Sequence, residues 1–244
     1  MSNTQESGHG KNVASFEQLI SFCKGYGASY NPAKDSLKVA NLETMFKDVN
    51  VLFAKVVTAR QALHNAINSR IIIFEGVKGL LTRISSALEA FGVSELVIAN
   101  SRSIIRKMRG QRAKGSGKKA LEAKDGEVIR TVSAAQTSYD SQVEHMSRLV
   151  ELLSKEVAYK PNEADLKVSA LDGLLTKMKG ANSSIASAYT DYRNTLANRD
   201  AFLYNDLTGL VQLSKQVKLY VKSVYGVQSA QFKQVGELVF KMLK

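Results

Sequence analysis

Tyr30-Asn-Pro-Ala-Lys-Asp-Ser-Leu-Lys-Val39 and Tyr159-Lys-Pro-Asn-Glu-Ala-Asp-Leu-Lys-Val168 are the two stretches of sequence that decide the fold. Each contains one of the only two prolines of the chain, and the two prolines are 129 residues apart. Both combine a tyrosine, a proline two positions later and a Leu-Lys-Val ending. Such matching surroundings at a fixed offset predict a tandem duplication.

The composition around these stretches is typical of packed helices. Of the 244 residues, 44% are hydrophobic, tryptophan is absent, and only two residues are proline. This composition favours an all-α fold with a sizeable core. Cys23 is the only cysteine, so no intramolecular disulfide can form. Because the first ten residues lack the features of a secretory signal and no apolar run is long enough to span a membrane, we predict a soluble, cytoplasmic protein.

Apolar residues recur at alternating spacings of three and four after each proline turn, which is the pattern of one helical stripe. This rhythm predicts long helices over Ser36–Phe91 and Asp165–Tyr225, ending at Gly92 and Gly226. Interior glycines weaken a helix by about 1 kcal/mol each, so a kink or a break into two helices stays open. These interior glycines are Gly76, Gly79, Gly173, Gly180 and Gly209.

Shorter amphipathic segments flank both long helices. Ser15–Tyr26 and residues 138–157 precede them, and Ser94–Arg109 follows the first, with a counterpart from Phe232 to Met242. Each repeat is therefore predicted as short helix, long helix and closing helix. Because one hairpin of helices leaves half of its apolar stripe in water, we predict an elongated helical bundle in which two repeats cover each other about an internal pseudo-twofold axis.

These segments predict the following organisation of the chain. Residues 1–11 form a disordered tail, residues 12–109 the first helical repeat, residues 110–130 a basic linker rich in Gly, Ser and Lys, and residues 131–244 the second repeat. The two repeats are expected to pack as one domain.

Basic residues concentrate where the first repeat meets the linker. From Arg102 to Lys124 there are nine basic residues and one acid, Glu122, in a chain whose net charge is +12. Clustered cations can bind phosphates without reading a sequence, and no aromatic residue is present for base stacking. A solvated linker is the alternative. The candidate anion or nucleic-acid contacts are Arg102, Arg106, Lys107, Arg109, Arg112, Lys114, Lys118 and Lys119.

Four polar residues recur at the 129-residue offset: Asn65 matches Asn194, and Arg70 matches Arg199. Both arginines fall in phase with the apolar stripe. We interpret the four as a structural buried polar layer, hydrogen-bonded across the pseudo-twofold axis. A ligand or anion site inside the bundle is the alternative interpretation.

Residues for catalysis or metal binding do not form a recognisable pattern. His9, His64 and His145 lie in a predicted tail and in different helices, without His or Cys partners at ligand spacing. Carboxylates occur singly rather than in paired metal-binding motifs. We therefore predict no catalytic residue, no metal site and no cofactor, and we do not expect an enzyme.

Several stretches resemble a family of uncharacterised bacterial all-helical tandem-repeat proteins. The resemblance lies in Tyr159–Val168, in Gln136-Thr-Ser-Tyr-Asp140, in the ending Tyr220–Gly226 and in Gln231–Val235, so the second half carries most of it. It implies a bacterial origin and a shared helical fold. It implies no activity, cofactor or site.

The sequence leaves three hypotheses about function. The first is a non-enzymatic structural or interaction protein, a rigid helical bundle that docks a macromolecular partner, which we expect to be a protein. The second is a nucleic-acid-associated protein that uses the basic linker for phosphate binding. The third is a membrane-active helical protein, although we do not expect a membrane partner. A homo-oligomer is also compatible, because a second copy could cover a long apolar stripe.

Overall fold

A computed structural model describes residues 4–111 and 137–243, with side chains from residue 8 onward. These residues form helices and turns without any β-strand, which confirms the all-α prediction. No helix among them combines the length and apolarity needed to cross a bilayer. The α-helices are α1 Thr4–Gly25, α2 Val39–Glu75, α3 Val77–Ala90, α4 Glu95–Arg109, α5 Tyr139–Lys155, α6 Val168–Tyr204, α7 Leu210–Tyr225 and α8 Ala230–Gly236.

The chain divides into two compact units, each with its own hydrophobic core. Unit 1 combines residues 1–63 with 189–244, and unit 2 is residues 64–188. The core of unit 1 includes Phe16, Leu19, Leu42, Val49, Leu203, Leu210, Val217 and Val235. The core of unit 2 includes Phe74, Leu81, Ile84, Leu88, Ile105, Met146, Leu149, Leu171 and Met178.

This division differs from the predicted one. The sequence placed the boundary between repeats at residues 110–130 and packed both repeats as one domain, whereas each compact unit takes the beginning of one predicted repeat and the end of the other. The linker prediction itself falls mostly on residues outside the described part of the chain. The physical reason for the difference is that α1 buries its apolar face against α7 and α8, which come from the far end of the chain.

A buried tyrosine closes each proline turn. The hydroxyl of Tyr30 donates to the carbonyl of Leu37 at 2.8 Å, and the hydroxyl of Tyr159 donates to the carbonyl of Leu166 at 2.9 Å. All four side chains are buried. The carbonyls that precede a long helix are thereby satisfied away from water.

The two halves of the chain share further features, which are separated in the sequence by the same number of residues as the two prolines. Helices α2 and α6 are both 37 residues long, and their first and last residues are 129 positions apart. The ring of Tyr30 meets Tyr220 edge-on in unit 1 with centroids 5.3 Å apart, and Tyr159 meets Phe91 edge-on in unit 2 at 6.0 Å. Such contacts contribute about 0.5–1.5 kcal/mol beyond area burial.

The predicted long helices are not continuous. The first is divided at Gly76, and the second ends at Tyr204 before α7 begins at Leu210. The carboxamide oxygen of Asn205 accepts the main-chain N–H groups of Leu207 and Thr208 at 2.9 Å each, and this competes with helix continuation. A Cβ on Gly209 would lie 2.5 Å from the nitrogen of Asn205, so this tight break requires glycine. The predicted stops at Gly92 and Gly226 are confirmed, with φ values of 66° and 82°.

Both ends of the chain also differ from the prediction. Residues 4–11 were assigned to a disordered tail, but α1 begins at Thr4 because its first turns are held by contacts in unit 1 that outweigh the low helix propensity of glycine. The second closing helix was expected to reach Met242, but α8 ends at Gly236. Residues 237–243, named here the C-terminal segment, are non-helical.

Unit 2 also buries an unusual imidazole. His145 on α5 is 2% exposed, and neither ring nitrogen has a hydrogen-bond partner among the described residues. Burial lowers the pKa of His145, and the cations Lys107 and Arg148 lower it further, while Glu144 opposes them. The folded state therefore disfavours the protonated form of this imidazole.

The tyrosine hydroxyls can be tested directly. Tyr30→Phe and Tyr159→Phe each leave a buried carbonyl without its donor, so we expect each to lower the free energy of unfolding by about 1–2 kcal/mol. Urea unfolding followed by circular dichroism measures this. Tyr189→Phe is the matched control, since that side chain is 54% exposed. Equal losses in all three variants would show that the hydroxyls do not close the turns.

His145 predicts a pH dependence of stability. Because its folded pKa lies below the ordinary 6.5, the unfolded state binds the proton more readily, and stability falls as pH drops through about 6.5. His145→Leu should lose less stability than the wild type between about pH 7.5 and about pH 5.5 in urea unfolding. His64→Gln, at an exposed position, should keep the wild-type dependence. An unchanged pH profile in His145→Leu would contradict this prediction.

Candidate functional site

A buried polar cluster joins α1 to the end of α6 in unit 1. His9 Nδ1 lies 2.6 Å from Tyr204 Oη, and Arg199 Nη2 lies 3.1 Å from His9 Nε2. Because a guanidinium only donates, Nε2 of His9 accepts, and Nδ1 carries the proton donated to Tyr204. Arg199 also donates from Nε to Asp200 Oδ1 at 3.0 Å. His9 and Arg199 are 6% and 3% exposed, so the chain of hydrogen bonds fixes α1 against α6 away from water.

Asn12, one turn further along α1, holds the C-terminal segment by its main chain. Its Nδ2 donates to the carbonyl of Lys241 at 2.8 Å, and its Oδ1 accepts the N–H of Lys241 at 2.9 Å. Nδ2 also lies 3.3 Å from Tyr204 Oη, which links this contact to the polar cluster. One buried carboxamide thus satisfies both main-chain groups of a single residue, whatever its side chain.

Further contacts fix the rest of this segment. Leu238 is buried in the core of unit 1, and the ammonium group of Lys218 donates to its carbonyl. The same ammonium group lies 5.4 Å from the centroid of the Phe240 ring. Burial lowers the pKa of Lys218. A side chain on Gly8 would lie 2.7 Å from Leu243 Cδ1, so the segment also packs closely against α1.

The C-terminal segment and α1 form the two walls of a cleft of about 610 Å³, named here the tail cleft. The segment contributes alternate residues, as expected for one face of extended chain, and α1 contributes residues at helical spacing. Two of the lining residues are lysines, others carry hydroxyl, amide or apolar side chains, and no described lining residue is acidic. The lining residues are Gly8, Lys11, Asn12, Ala14, Ser15, Gln18, Val239, Lys241 and Leu243.

Unit 2 has its own arginine at the matching offset. The guanidinium carbon of Arg70 lies 3.8 Å from the centroid of the Tyr139 ring, at the start of α5. Beside it, Asn182 Nδ2 donates to Asp140 Oδ1 at 2.8 Å. Arg70 therefore packs on an aromatic ring at the start of a short helix, as Arg199 contacts the imidazole near the start of α1.

The predicted polar layer is accordingly not found as described. Arg199 is buried and Arg70 is half-buried, but Asn65 and Asn194 are exposed. An amide on a helix surface can form its hydrogen bonds there, so nothing requires these two side chains to enter the core. The two arginines belong to different units and bond or pack with different neighbours.

The predicted basic contacts fall into three groups. Arg102 forms an ion pair with Glu89 at 2.7 Å, and Arg109 donates to the hydroxyl of Thr82, so both have partners within unit 2. Arg106 is half-buried and Lys107 is exposed at the end of α4. Arg112, Lys114, Lys118 and Lys119 lie outside the described residues.

The structure shows how the thiol and the possible metal ligands are placed. In the described ranges, no three His, Cys, Asp or Glu side chains come close enough together to hold a metal ion. Burial raises the pKa of the Cys23 thiol to about 11, so at neutral pH it is protonated and a poor nucleophile. The contacts in unit 1 fix α1 and the C-terminal segment in position, and the Cys23 thiol is not activated as a nucleophile.

The sequence patterns do not indicate that His9, Asn12 and Tyr204 come together. A signal for His9 does exist, because it continues the four-three rhythm of the buried residues Val13, Phe16, Ile20 and Cys23 of α1. Its partners could not be found in this way, since Tyr204 and Arg199 are about 190 positions away in the sequence.

The contact between Asn12 and Lys241 gives a testable prediction. Asn12→Ala removes two buried hydrogen bonds to the main chain of Lys241, so its amide should exchange with solvent roughly tenfold to hundredfold faster. Hydrogen exchange followed by NMR measures this rate. Gln18→Ala, which changes the same cleft without a hydrogen bond to Lys241, is the control. Unchanged exchange in Asn12→Ala would show that the segment is held by other contacts.

Comparison with known proteins assigns no function to this site. No family model, no curated protein and no solved structure matches the chain. The predicted bacterial family, the cytoplasmic location and the homo-oligomer therefore stay predictions, and the functional conclusion depends on the residues described above.

Proposed function

We propose that this protein is a non-enzymatic interaction protein that docks a macromolecular partner through unit 1. The tail cleft is the observation that carries the proposal. Its walls present ammonium, hydroxyl, amide and apolar groups together, a mixture that recognises a partner by charge and shape. A cleft of about 610 Å³ is large enough to take several residues of a partner.

The walls of the cleft support docking because they are fixed in advance. Arg199, His9 and Tyr204 hold α1, and Asn12 holds the C-terminal segment to α1. Walls that are already ordered lose little conformational entropy when a partner binds. The buried polar cluster therefore acts on binding through position and has no direct contact with the partner in this proposal.

Site-specific crosslinking tests the proposal. A photoreactive amino acid at Gln18, in the cleft, should crosslink one saturable macromolecule in extracts of the native cell, and the purified partner should bind the purified protein. The same group at Thr176, an exposed position of unit 2, is the control. If Gln18 yields no saturable partner, or if Thr176 yields the same one, the proposed docking role is wrong.

We also propose that the chain arose by duplication. The equal lengths of α2 and α6, the paired tyrosine hydrogen bonds and the paired ring contacts all recur at one offset. These likenesses support a common ancestral segment. The elongated shape and the pseudo-twofold axis remain predictions from the sequence.

A second candidate function is nucleic-acid binding through the end of α4. The last turn of this helix carries Arg106, Lys107 and Arg109, and Lys107 is exposed. If these residues bind phosphates, Arg106→Glu with Lys107→Glu should weaken duplex DNA binding and lower its dependence on salt concentration. Lys177→Glu with Lys179→Glu, at exposed positions, makes the same change in net charge. Equal effects of both pairs, or no DNA binding at all, would contradict this second function.

A further inference from the structure

The docking role proposed above is the starting point here. The chemistry of the residues that line the tail cleft indicates which kind of partner it binds. We propose that the tail cleft binds a short extended peptide segment that carries carboxylates next to apolar side chains. Three properties of the cleft support this occupant: its charge, its apolar lining residues and the length of its walls.

The charge of the cleft favours carboxylates. Lys11 on α1 and Lys241 on the C-terminal segment are both among the residues that line the cleft. Neither has an ion-pair partner among the described residues, and none of the described lining residues is acidic. The chain as a whole has a net charge of +12, which attracts acidic partners over a longer range.

Apolar side chains of the partner have a place to bind as well. Ala14, Val239 and Leu243 line the cleft, and Val239 is 61% exposed although it belongs to a segment that packs on a core. Covering such a side chain removes apolar surface from water. A purely ionic ligand would leave this surface wet, so an occupant with both acidic and apolar groups fits better.

The walls indicate an extended polypeptide. Along α1 the lining residues run from Gly8 to Gln18, about 15 Å at a rise of about 1.5 Å per residue. That length matches four or five residues of extended chain at about 3.3 Å each. Ser15 and Gln18 offer hydroxyl and amide groups that can bond a peptide main chain, as Asn12 already does for Lys241.

Other ligand classes fit the cleft less well. None of the described lining residues is aromatic, so the cleft offers no platform on which a nucleobase could stack. A fatty acyl chain needs a mostly apolar enclosure, whereas five of the nine lining residues are polar or charged. A peptide with both acidic and apolar side chains complements the lysines and the apolar residues of the cleft at the same time.

A peptide titration tests this inference. The probe is an acetylated and amidated (Glu-Leu)3 hexapeptide, added to the full chain while backbone N–H signals of α1 and the C-terminal segment are followed by NMR. We expect saturable shifts at these signals. The comparison peptides (Lys-Leu)3 and (Glu-Ser)3 should bind at least roughly tenfold more weakly, since each removes one of the two complementary properties.

Charge reversal in the cleft provides the matched variants. Lys11→Glu with Lys241→Glu should weaken (Glu-Leu)3 binding roughly tenfold or more. Lys177→Glu with Lys179→Glu, on the surface of unit 2, changes the net charge equally and should leave binding unchanged. All four side chains are exposed, and circular dichroism confirms that each variant is folded.

The results separate this inference from the proposed function. Absence of (Glu-Leu)3 binding, equal binding of (Lys-Leu)3, or equal losses in both variant pairs overturns the peptide inference. If a partner still crosslinks at Gln18 in that case, the docking role stands without it. Binding of (Glu-Leu)3 that is lost only on reversal of Lys11 and Lys241 supports the inference.

Discussion

The hydrogen bond from a buried tyrosine hydroxyl to the carbonyl seven residues later is the interaction on which the helical architecture depends. Tyr30 and Tyr159 each make this bond across a proline turn, immediately before a 37-residue helix. The ring of Tyr30 also packs nearly perpendicular to the ring of Tyr220, and the ring of Tyr159 packs in the same way against Phe91. One side chain therefore fixes the turn, the direction of the long helix and the position of a third element packed on it.

Much of this architecture could be predicted because its causes are local. Proline fixes its own backbone angle and restricts the residue before it, so the Tyr-x-Pro stretches had to be turns. Alternating spacings of three and four predict helices, and Gly92 and Gly226 end them where a left-handed residue is favoured. The break before α7 was less predictable, because glycine in a helix costs only about 1 kcal/mol. There the side chain of Asn205 decides the outcome by bonding to the main chain.

The candidate site was harder to predict because its contacts join distant parts of the sequence. The phase of Arg199 within the apolar stripe predicted that it would be buried, which it is, but not that His9 would be its partner. Periodicity assigns a face to a residue and does not identify what packs there. The C-terminal segment illustrates the same limit, since its apolar residues predicted a helix while Asn12 and Lys218 bond to the main chain of a non-helical segment. Hydrogen bonds from other elements outweighed local preference at both places.

The parts of the chain that supply each core determine when that core can form during biosynthesis. Unit 2 is one continuous stretch, so its core can close once the residues of that stretch have left the ribosome, before the last partners of unit 1 are available. Unit 1 joins both ends, and Phe16 and Leu42 have to wait for Leu203, Val217 and Val235 to emerge. At about 5–20 residues per second, the nascent amino-terminal helices remain without their partners for roughly 10–40 s. During that interval their apolar faces stay uncovered, which is the kind of surface that chaperones protect from aggregation, whereas the continuous internal unit needs no residue from the far end of the chain.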